Sequence, residues 1–298
     1  MTSSDTIVVV GAGLMGTGIA HAFLAGGHKV TLADTQAPAL ARSRDAIGKI
    51  LSDGVRLGKC SAADAAAALA RLQCVDALAL APRAAALVVE TVTEKLDIKQ
   101  AIVREAEALF GADAVIATNT SALSITEIAS VVRRPQRVIG MHFFNPVHKM
   151  KLVEIVRGLE TSPDTVTKVR AWSAAIGKTS IEVNEAPGFT TSRISALLGN
   201  EAMYMLAEGV ASAEDIDTSL RMAFNHPMGP LELGDLTGWD TRLAVLQYLH
   251  QTLGEKFRPC PLIIKLVKSG RHGRKTGRGI YAYDEQGAKI PNSGVRPF

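Results

Sequence analysis

Five residues, Thr6-Ile7-Val8-Val9-Val10, run without a break into Gly11-Ala12-Gly13-Leu14-Met15-Gly16. No other stretch restricts the fold of this chain so tightly. The first run is apolar and largely β-branched, the pattern of a strand covered on both faces in a parallel sheet. The residues from Thr17 to Ala25 then read as a helix. Gly11 permits the tight turn between the two, Gly13 lets a pyrophosphate approach the backbone, and Gly16 lets the helix pack against the strand. The helix start offers free N–H groups and the positive end of its dipole to phosphate. Glycine spacing alone is a weak signal, but here the strand–turn–helix setting is complete.

A second strand, Lys29-Val30-Thr31-Leu32-Ala33, ends at Asp34, about twenty residues beyond the glycine turn. An acid at that position accepts hydrogen bonds from the adenosine-ribose hydroxyls and repels a 2′-phosphate, which argues for NAD over NADP. The competing reading makes Asp34 a turn residue or helix cap, because Thr35-Gln36-Ala37-Pro38 opens a helix.

From Pro38 to Leu72 the chain reads as helical, interrupted at Gly54-Val55-Arg56-Leu57-Gly58-Lys59. Ser61 and Asp64 have the spacing of a capping box for the second of these helices. The excursion is a solvated helical hairpin, or else Arg56 and Lys59 form a basic lip for a phosphorylated substrate. Strands follow at Leu87-Val88-Val89-Glu90-Thr91 and Val115-Ile116-Ala117-Thr118, separated by an amphipathic helix from Leu96 to Leu109. The second of these strands leads into Asn119-Thr120-Ser121, small polar residues at the carboxyl end of a strand, where doubly wound sheets bind ligands. Ser121 is a site candidate on that ground, or a plain turn residue. Ser124 and Glu127 have the spacing of a further capping pair, for a short helix near Ile125.

Arg137-Val138-Ile139-Gly140 then feeds into Met141-His142-Phe143-Phe144-Asn145-Pro146. A titratable ring at the end of a buried run is either a core histidine satisfied by backbone or a working base. The next strand, Leu152-Val153-Glu154-Ile155-Val156, alternates around one carboxylate. Glu154 faces solvent, or it fixes the His142 tautomer and raises the basicity of the other ring nitrogen. A helix from Asp164 to Ile176 and a strand from Thr179 to Val183 close this half.

Near Glu185-Ala186-Pro187-Gly188 the character changes, and the remaining patterns are almost all helical: Thr190–Glu208, Ala213–Ala223, Pro230–Leu236, Trp239–Leu253 and Pro261–Ser269. The expected architecture is α/β. A Rossmann-like doubly wound sheet with a helical hairpin insertion occupies residues 1–185. An all-α substrate and dimerisation domain occupies residues 186–298. The apolar stripes around Leu197, Leu198, Met203, Met205 and Leu206 read as packing, with enough left over for a homodimer interface.

The totals narrow the classes. With 298 residues, 47% hydrophobic and 21% charged, the chain is an ordinary globular one. A net charge of +4 does not point to nucleic acid, and the basic tail around Arg271, Arg274 and Lys275 lacks aromatic interleaving for base stacking. Cys60, Cys74 and Cys260 are scattered, without the spacing of a zinc site or disulfide framework, which suits a reducing compartment. Residues 1–5 carry no signal-peptide core, and no apolar run approaches the ~18–20 residues that span a bilayer. A cytoplasmic protein without nucleic-acid or membrane partners is expected.

Taken in order, the motifs Gly11-Ala12-Gly13-Leu14-Met15-Gly16, Asn119-Thr120-Ser121, His142-Phe143-Phe144-Asn145-Pro146, Pro187-Gly188-Phe189, His226-Pro227-Met228-Gly229-Pro230 and Gly273-Arg274-Lys275-Thr276-Gly277 resemble the L-3-hydroxyacyl-CoA dehydrogenase family, particularly its short bacterial 3-hydroxybutyryl-CoA members. The resemblance covers Gly11 to Tyr283. It implies NAD as cofactor, an acyl-CoA substrate, and His142 as general base oriented by Glu154. Ser121 would be the hydroxyl near substrate and nicotinamide. It adds Glu94, Lys99, Asn145 and Lys275 to the glycine turn and Asp34 as cofactor contacts, and places Arg56 and Lys59 where the hairpin meets coenzyme A. One position departs: the family's usual asparagine, which helps hold the substrate carbonyl, is Ser192 here, before Arg193. Two other readings stay open. One is a related dehydrogenase of a CoA-free hydroxy acid or sugar acid, and the other a catalytically silent NAD-binding protein.

Overall fold

The computed structural model describes residues 5–296. Residues 1–4, where the absence of a leader was read, lie outside the described residues. The chain divides into two compact units, Met1–Ala186 and Pro187–Phe298.

The first unit is an eight-stranded sheet in the order β3-β2-β1-β4-β5-β6-β7-β8. Its strands are β1 (Thr6–Val10), β2 (Lys29–Ala33), β3 (Leu72–Val75), β4 (Leu87–Glu90), β5 (Val115–Thr118), β6 (Val138–Phe143), β7 (Leu152–Arg157) and β8 (Thr179–Asn184). The first six are parallel; β7 pairs antiparallel with β6, and β8 parallel with β7. The strand order reverses at β1, with β2 on one side and β4 on the other, and that is the switch point at which open α/β sheets bind ligands. Helices α1 (Leu14–Ala25), α2 (Ala37–Arg56), α3 (Ala62–Ala70), α4 (Leu96–Leu109), α5 (Ile125–Ala129) and α6 (Pro163–Ala175) complete the unit. The continuous apolar runs of β1 and β4 are consumed in the core, where Ile7, Val8, Val9, Leu87, Val88 and Val89 have no exposed surface.

Three details differ from the sequence reading. Helix α1 begins at Leu14, three residues earlier than the pattern suggests, so the last glycine of the turn lies within its first turn. Helix α2 runs through Gly54 to Arg56. Leu72-Gln73-Cys74-Val75, too short and too polar to stand out, forms strand β3 on the edge beside β2. The predicted box on α3 is complete: Ser61 Oγ accepts from the Asp64 N–H, and Asp64 Oδ2 accepts from the Ser61 N–H. The pair on α5 is only half formed. Ser124 Oγ accepts from the Glu127 N–H, while the Ser124 hydroxyl and the Thr126 N–H both bond the distant Glu185 carboxylate.

The second unit contains α7 (Thr191–Ala207), α8 (Ala213–Phe224), α9 (Pro230–Thr237), α10 (Trp239–Leu253) and α11 (Pro261–Lys268) around a core that includes Met203, Leu206, Leu231, Trp239 and Leu249. Its pivot is Asp235, a fully buried carboxylate that accepts the N–H groups of Ile280 and Tyr281, the Trp239 indole and the Tyr283 hydroxyl. Burial pushes this carboxylate up, and the four donors oppose that shift. Among the described residues, no helix is long and apolar enough to cross a membrane.

Candidate active site

The carboxyl ends of β1, β4 and β5 open side by side, because each N–H just beyond a strand bonds a neighbouring strand's last carbonyl: Thr91 to Val10, and Asn119 to Glu90. The glycine turn follows β1. Gly11 adopts φ +104°, a conformation side chains resist, and a Cβ there would meet Thr91. A Cβ on Gly16 would stand 1.8 Å from the Gly11 carbonyl oxygen, whereas a Cβ on Gly13 would meet nothing within 4 Å. The middle glycine therefore faces open space on the side from which a phosphate would approach, with Leu14 exposed and Met15 half-buried beside it. These residues fit the pyrophosphate of a dinucleotide.

Asp34 stands at the end of β2. One of its oxygens accepts the Ala12 N–H at 2.7 Å, and the other accepts the Gln36 N–H at 2.8 Å. It thus serves as a turn acceptor, and its half-buried carboxylate also ties the end of β2, where an adenosine ribose would lie, to the glycine turn.

Two further turns bring polar groups to the same end of the sheet. Glu94 is exposed, and one of its oxygens accepts the Ser121 N–H at 3.0 Å and a short bond from the Thr120 hydroxyl. Lys99, expected among the cofactor contacts, has no exposed surface. Its ammonium is spent inside the fold on Glu90, the Asn119 carbonyl and the second Glu94 oxygen. It holds Glu94 rather than presenting a free cation. Glu90 was not among the expected site residues, and Asn119 entered only as part of the Asn119-Thr120-Ser121 turn. The available signals were an acid closing the apolar run of β4 and an amide opening the turn after β5.

His142 and Glu154 are register partners on β6 and β7. Nδ1 of the imidazole lies 2.6 Å from Glu154 Oε2, with the ring almost buried and the carboxylate wholly so. A carboxylate that close makes Nδ1 the protonated nitrogen and directs Nε2 away from the pair. Phe144 lies against the ring with centroids 4.4 Å apart. The adjoining Phe143 N–H donates to the Asn119 side chain at 3.0 Å, which ties the histidine strand to the turn that carries Ser121. Asn145 is exposed and precedes a cis peptide to Pro146.

Arg56 and Lys59 are exposed on the hairpin, and Arg56 is paired with Asp53. Both line a cavity of about 750 Å³ with His21, Arg71, His148 and Lys149. Asp53 and Asp64 also line it, so Arg56, Lys59, Arg71 and Lys149 leave the lining net positive, which suits an anionic group. A second cavity, about 520 Å³, borders Asp5, Ala86 and Ala114, at the amino ends of the strands, where this sheet type does not place its ligands.

Within the second unit, Ser192 is half-buried in the first turn of α7. Arg242 braces that turn by donating to the Ser195 carbonyl at 3.0 Å. Lys275 is exposed and bonds Asp240 at 2.7 Å. It sits in a short turn that closes over Asp235, where a Cβ on Gly273 would strike the Asp235 backbone.

An open glycine turn after β1, an acid after β2 and a buried histidine–carboxylate pair on the same sheet fit a Rossmann-type, NAD-dependent oxidoreductase. The chain belongs to the 3-hydroxyacyl-CoA dehydrogenase family: residues 6–186 match its NAD binding domain and residues 188–283 its C-terminal domain. It is 41% identical over 283 residues to a 3-hydroxybutyryl-CoA dehydrogenase of Bradyrhizobium diazoefficiens, covering 94% of this chain and 95% of that one. The crystal structure of (S)-3-hydroxybutyryl-CoA dehydrogenase from Ralstonia eutropha superposes with a TM-score of 0.91 at 42% identity, covering 95% of this chain and all of that one. A 3-hydroxyadipyl-CoA dehydrogenase of Escherichia coli is 39% identical over 94% of this chain and 59% of its own length. The enzyme is accordingly an NAD-dependent 3-hydroxyacyl-CoA dehydrogenase.

Proposed function

We propose that the enzyme interconverts a short-chain L-3-hydroxyacyl-CoA, 3-hydroxybutyryl-CoA foremost, and its 3-oxoacyl-CoA, with His142 as the base. The observation that carries this reading is the 2.6 Å contact between His142 Nδ1 and Glu154 Oε2 inside the sheet. It fixes the tautomer, so that Nε2 takes the proton of the C3 hydroxyl as the C3 hydride departs. When bound, NAD supplies the hydride acceptor. Glu154 stabilises the imidazolium that forms, and a general base so placed contributes roughly 10²–10⁴-fold.

The remaining residues serve placement. The glycine turn from Gly11 to Gly16, Asp34, Glu94, Asn145 and Lys275 contact the cofactor, with Ser121 near its nicotinamide. Lys99 acts there through Glu94. Ser121 and Ser192 bind the polar oxygens around C3, and Ser192, shorter than asparagine, takes a closer substrate or a bridging water. Arg56 and Lys59 meet the phosphates of coenzyme A. The first unit is the cofactor domain and the second the substrate and dimerisation domain of a cytoplasmic homodimer. The exposed apolar residues Met222 and Phe224 of the second unit support that assembly.

The deciding experiment is His142→Gln with acetoacetyl-CoA and NADH. Turnover should fall at least a hundredfold while NADH binding survives; a variant that keeps a tenth of the parent rate removes His142 from the mechanism. A rate profile across acyl chain lengths, with a 3-oxoadipyl-CoA arm, decides the substrate: a maximum away from four carbons overturns the short-chain assignment.

A further inference from the structure

Glu90 closes β4 with a carboxylate that has no exposed surface. Four contacts converge on it: Lys99 Nζ at 2.9 Å and 3.1 Å, the Val92 N–H at 2.7 Å and the Thr118 hydroxyl at 2.5 Å. Lys99, equally buried, turns the rest of its ammonium to the Asn119 carbonyl at 3.2 Å and to Glu94 Oε2 at 3.3 Å. The Asn119 side chain in turn accepts the Phe143 N–H at 3.0 Å, one residue beyond His142.

A buried ion pair of this kind is a poor stabilising device. Desolvation consumes most of its attraction, and well-packed apolar residues hold a fold at least as firmly. What directed charge-assisted bonds do that two apolar side chains cannot is set the angle and register of the segments they join. The segments joined here are the turn after β4, which carries Glu94, the turn after β5, which carries Ser121, and the end of the strand that carries His142.

We propose that Glu90 is a positioning residue for the dehydrogenase reaction, its carboxylate and the Lys99 ammonium forming an internal peg that registers the Glu94 turn, the Ser121 turn and the His142 strand against one another. Displacements of about an ångström at such a site cost roughly 10²-fold in rate. The inference rests on the dehydrogenase reading above.

The test replaces the peg with apolar residues, Glu90→Leu together with Lys99→Met, so that no unpaired charge is left buried. The thermal unfolding midpoint, the NADH dissociation constant from fluorescence and the kcat for acetoacetyl-CoA reduction are read side by side. An unfolding midpoint within a few degrees of the parent, NADH binding weakened threefold or more and kcat lowered at least tenfold support the proposal. A folded double variant with kcat within threefold of the parent overturns it. Should the double variant not fold, Thr118→Val decides. It removes one bond to Glu90 while Lys99 and the Val92 N–H still pair the carboxylate, and a threefold fall in kcat at a midpoint within a few degrees of the parent supports the peg, whereas an unchanged kcat overturns it. A parent enzyme that does not turn over acetoacetyl-CoA marks failure of the dehydrogenase reading instead. The peg is then judged on NADH binding alone: a threefold weakening supports it, and unchanged binding overturns it.

Discussion

The Asp34 carboxylate, at the end of β2, accepts the backbone N–H of Ala12 in the glycine turn at 2.7 Å. One acid therefore fixes the turn that would hold the pyrophosphate and stands where the ribose would be. Both roles are lost in Asp34→Ser, since serine is too short to reach the turn and carries no charge to repel a 2′-phosphate. NADH binding should weaken about tenfold or more, a loss typical of a charge-assisted pair. The ratio of kcat/KM for NADH over NADPH should fall by a similar factor. An unchanged ratio in coupled assays with the two cofactors would remove Asp34 from cofactor choice.

Gly13 and Gly16 make opposite predictions from one substitution. Alanine at Gly16 drives a methyl to 1.8 Å from the Gly11 carbonyl, so α1 must shift away from β1. Overpacking of that order costs about 1–3 kcal/mol, visible as a lowered chemical-denaturation midpoint. Alanine at Gly13 meets nothing within 4 Å, so stability should hold while NADH binding weakens as the methyl enters the phosphate's path. Unchanged NADH affinity in Gly13→Ala would remove Gly13 from the phosphate's path.

Glu154→Gln keeps the shape of the buried pair and removes its charge. Glutamine either reverses the tautomer of His142 or leaves the forming imidazolium uncompensated, and kcat should fall roughly 10²-fold or more with little change in NADH binding. Raising the pH should not restore the rate, because the missing element is the negative charge beside Nδ1. Recovery at high pH would mean that Glu154 only tunes the base.

His21 gives the protein an acid-labile element away from the reacting atoms. Burial, with the positive fields of His148 and Lys178, lowers it from 6.5 to about 4. Its Nδ1 has no hydrogen-bond partner among the described residues. The unfolded chain therefore takes up a proton first as pH falls, and the folded state is penalised. This contribution is intact above pH 6.5 and is lost between 6.5 and 4, amounting to about 3 kcal/mol at most. In denaturant melts at several pH values, His21→Gln should flatten the decline across that window, and an unaltered slope would assign the decline to other groups.

Much of the fold could be read from the chain because its inner strands are continuously apolar and punctuated. The runs before Gly11 and before Asp34 mark β1 and β2 by composition alone. Leu72–Val75 escaped because a four-residue edge strand with a glutamine in it has no periodicity to detect, and only pairing with β2 makes it a strand. Ser124 was legible as a cap, but its long-range partner Glu185 was not, since nothing local marks a bond between residues so far apart in sequence.

Local sequence settles which chemistry the chain can carry: a glycine turn after a buried strand, an acid after the next, and a histidine and a glutamate on consecutive strands. Those choices are local, because φ above zero, strand burial and side-chain period are properties of short segments. Tertiary structure decided which groups meet. Antiparallel register set His142 opposite Glu154, and parallel strand ends brought Glu90, Lys99 and Asn119 into one buried network. A lysine that local sequence would leave in solvent became an internal strut, since only the assembled sheet supplies the four acceptor atoms that make its burial tolerable.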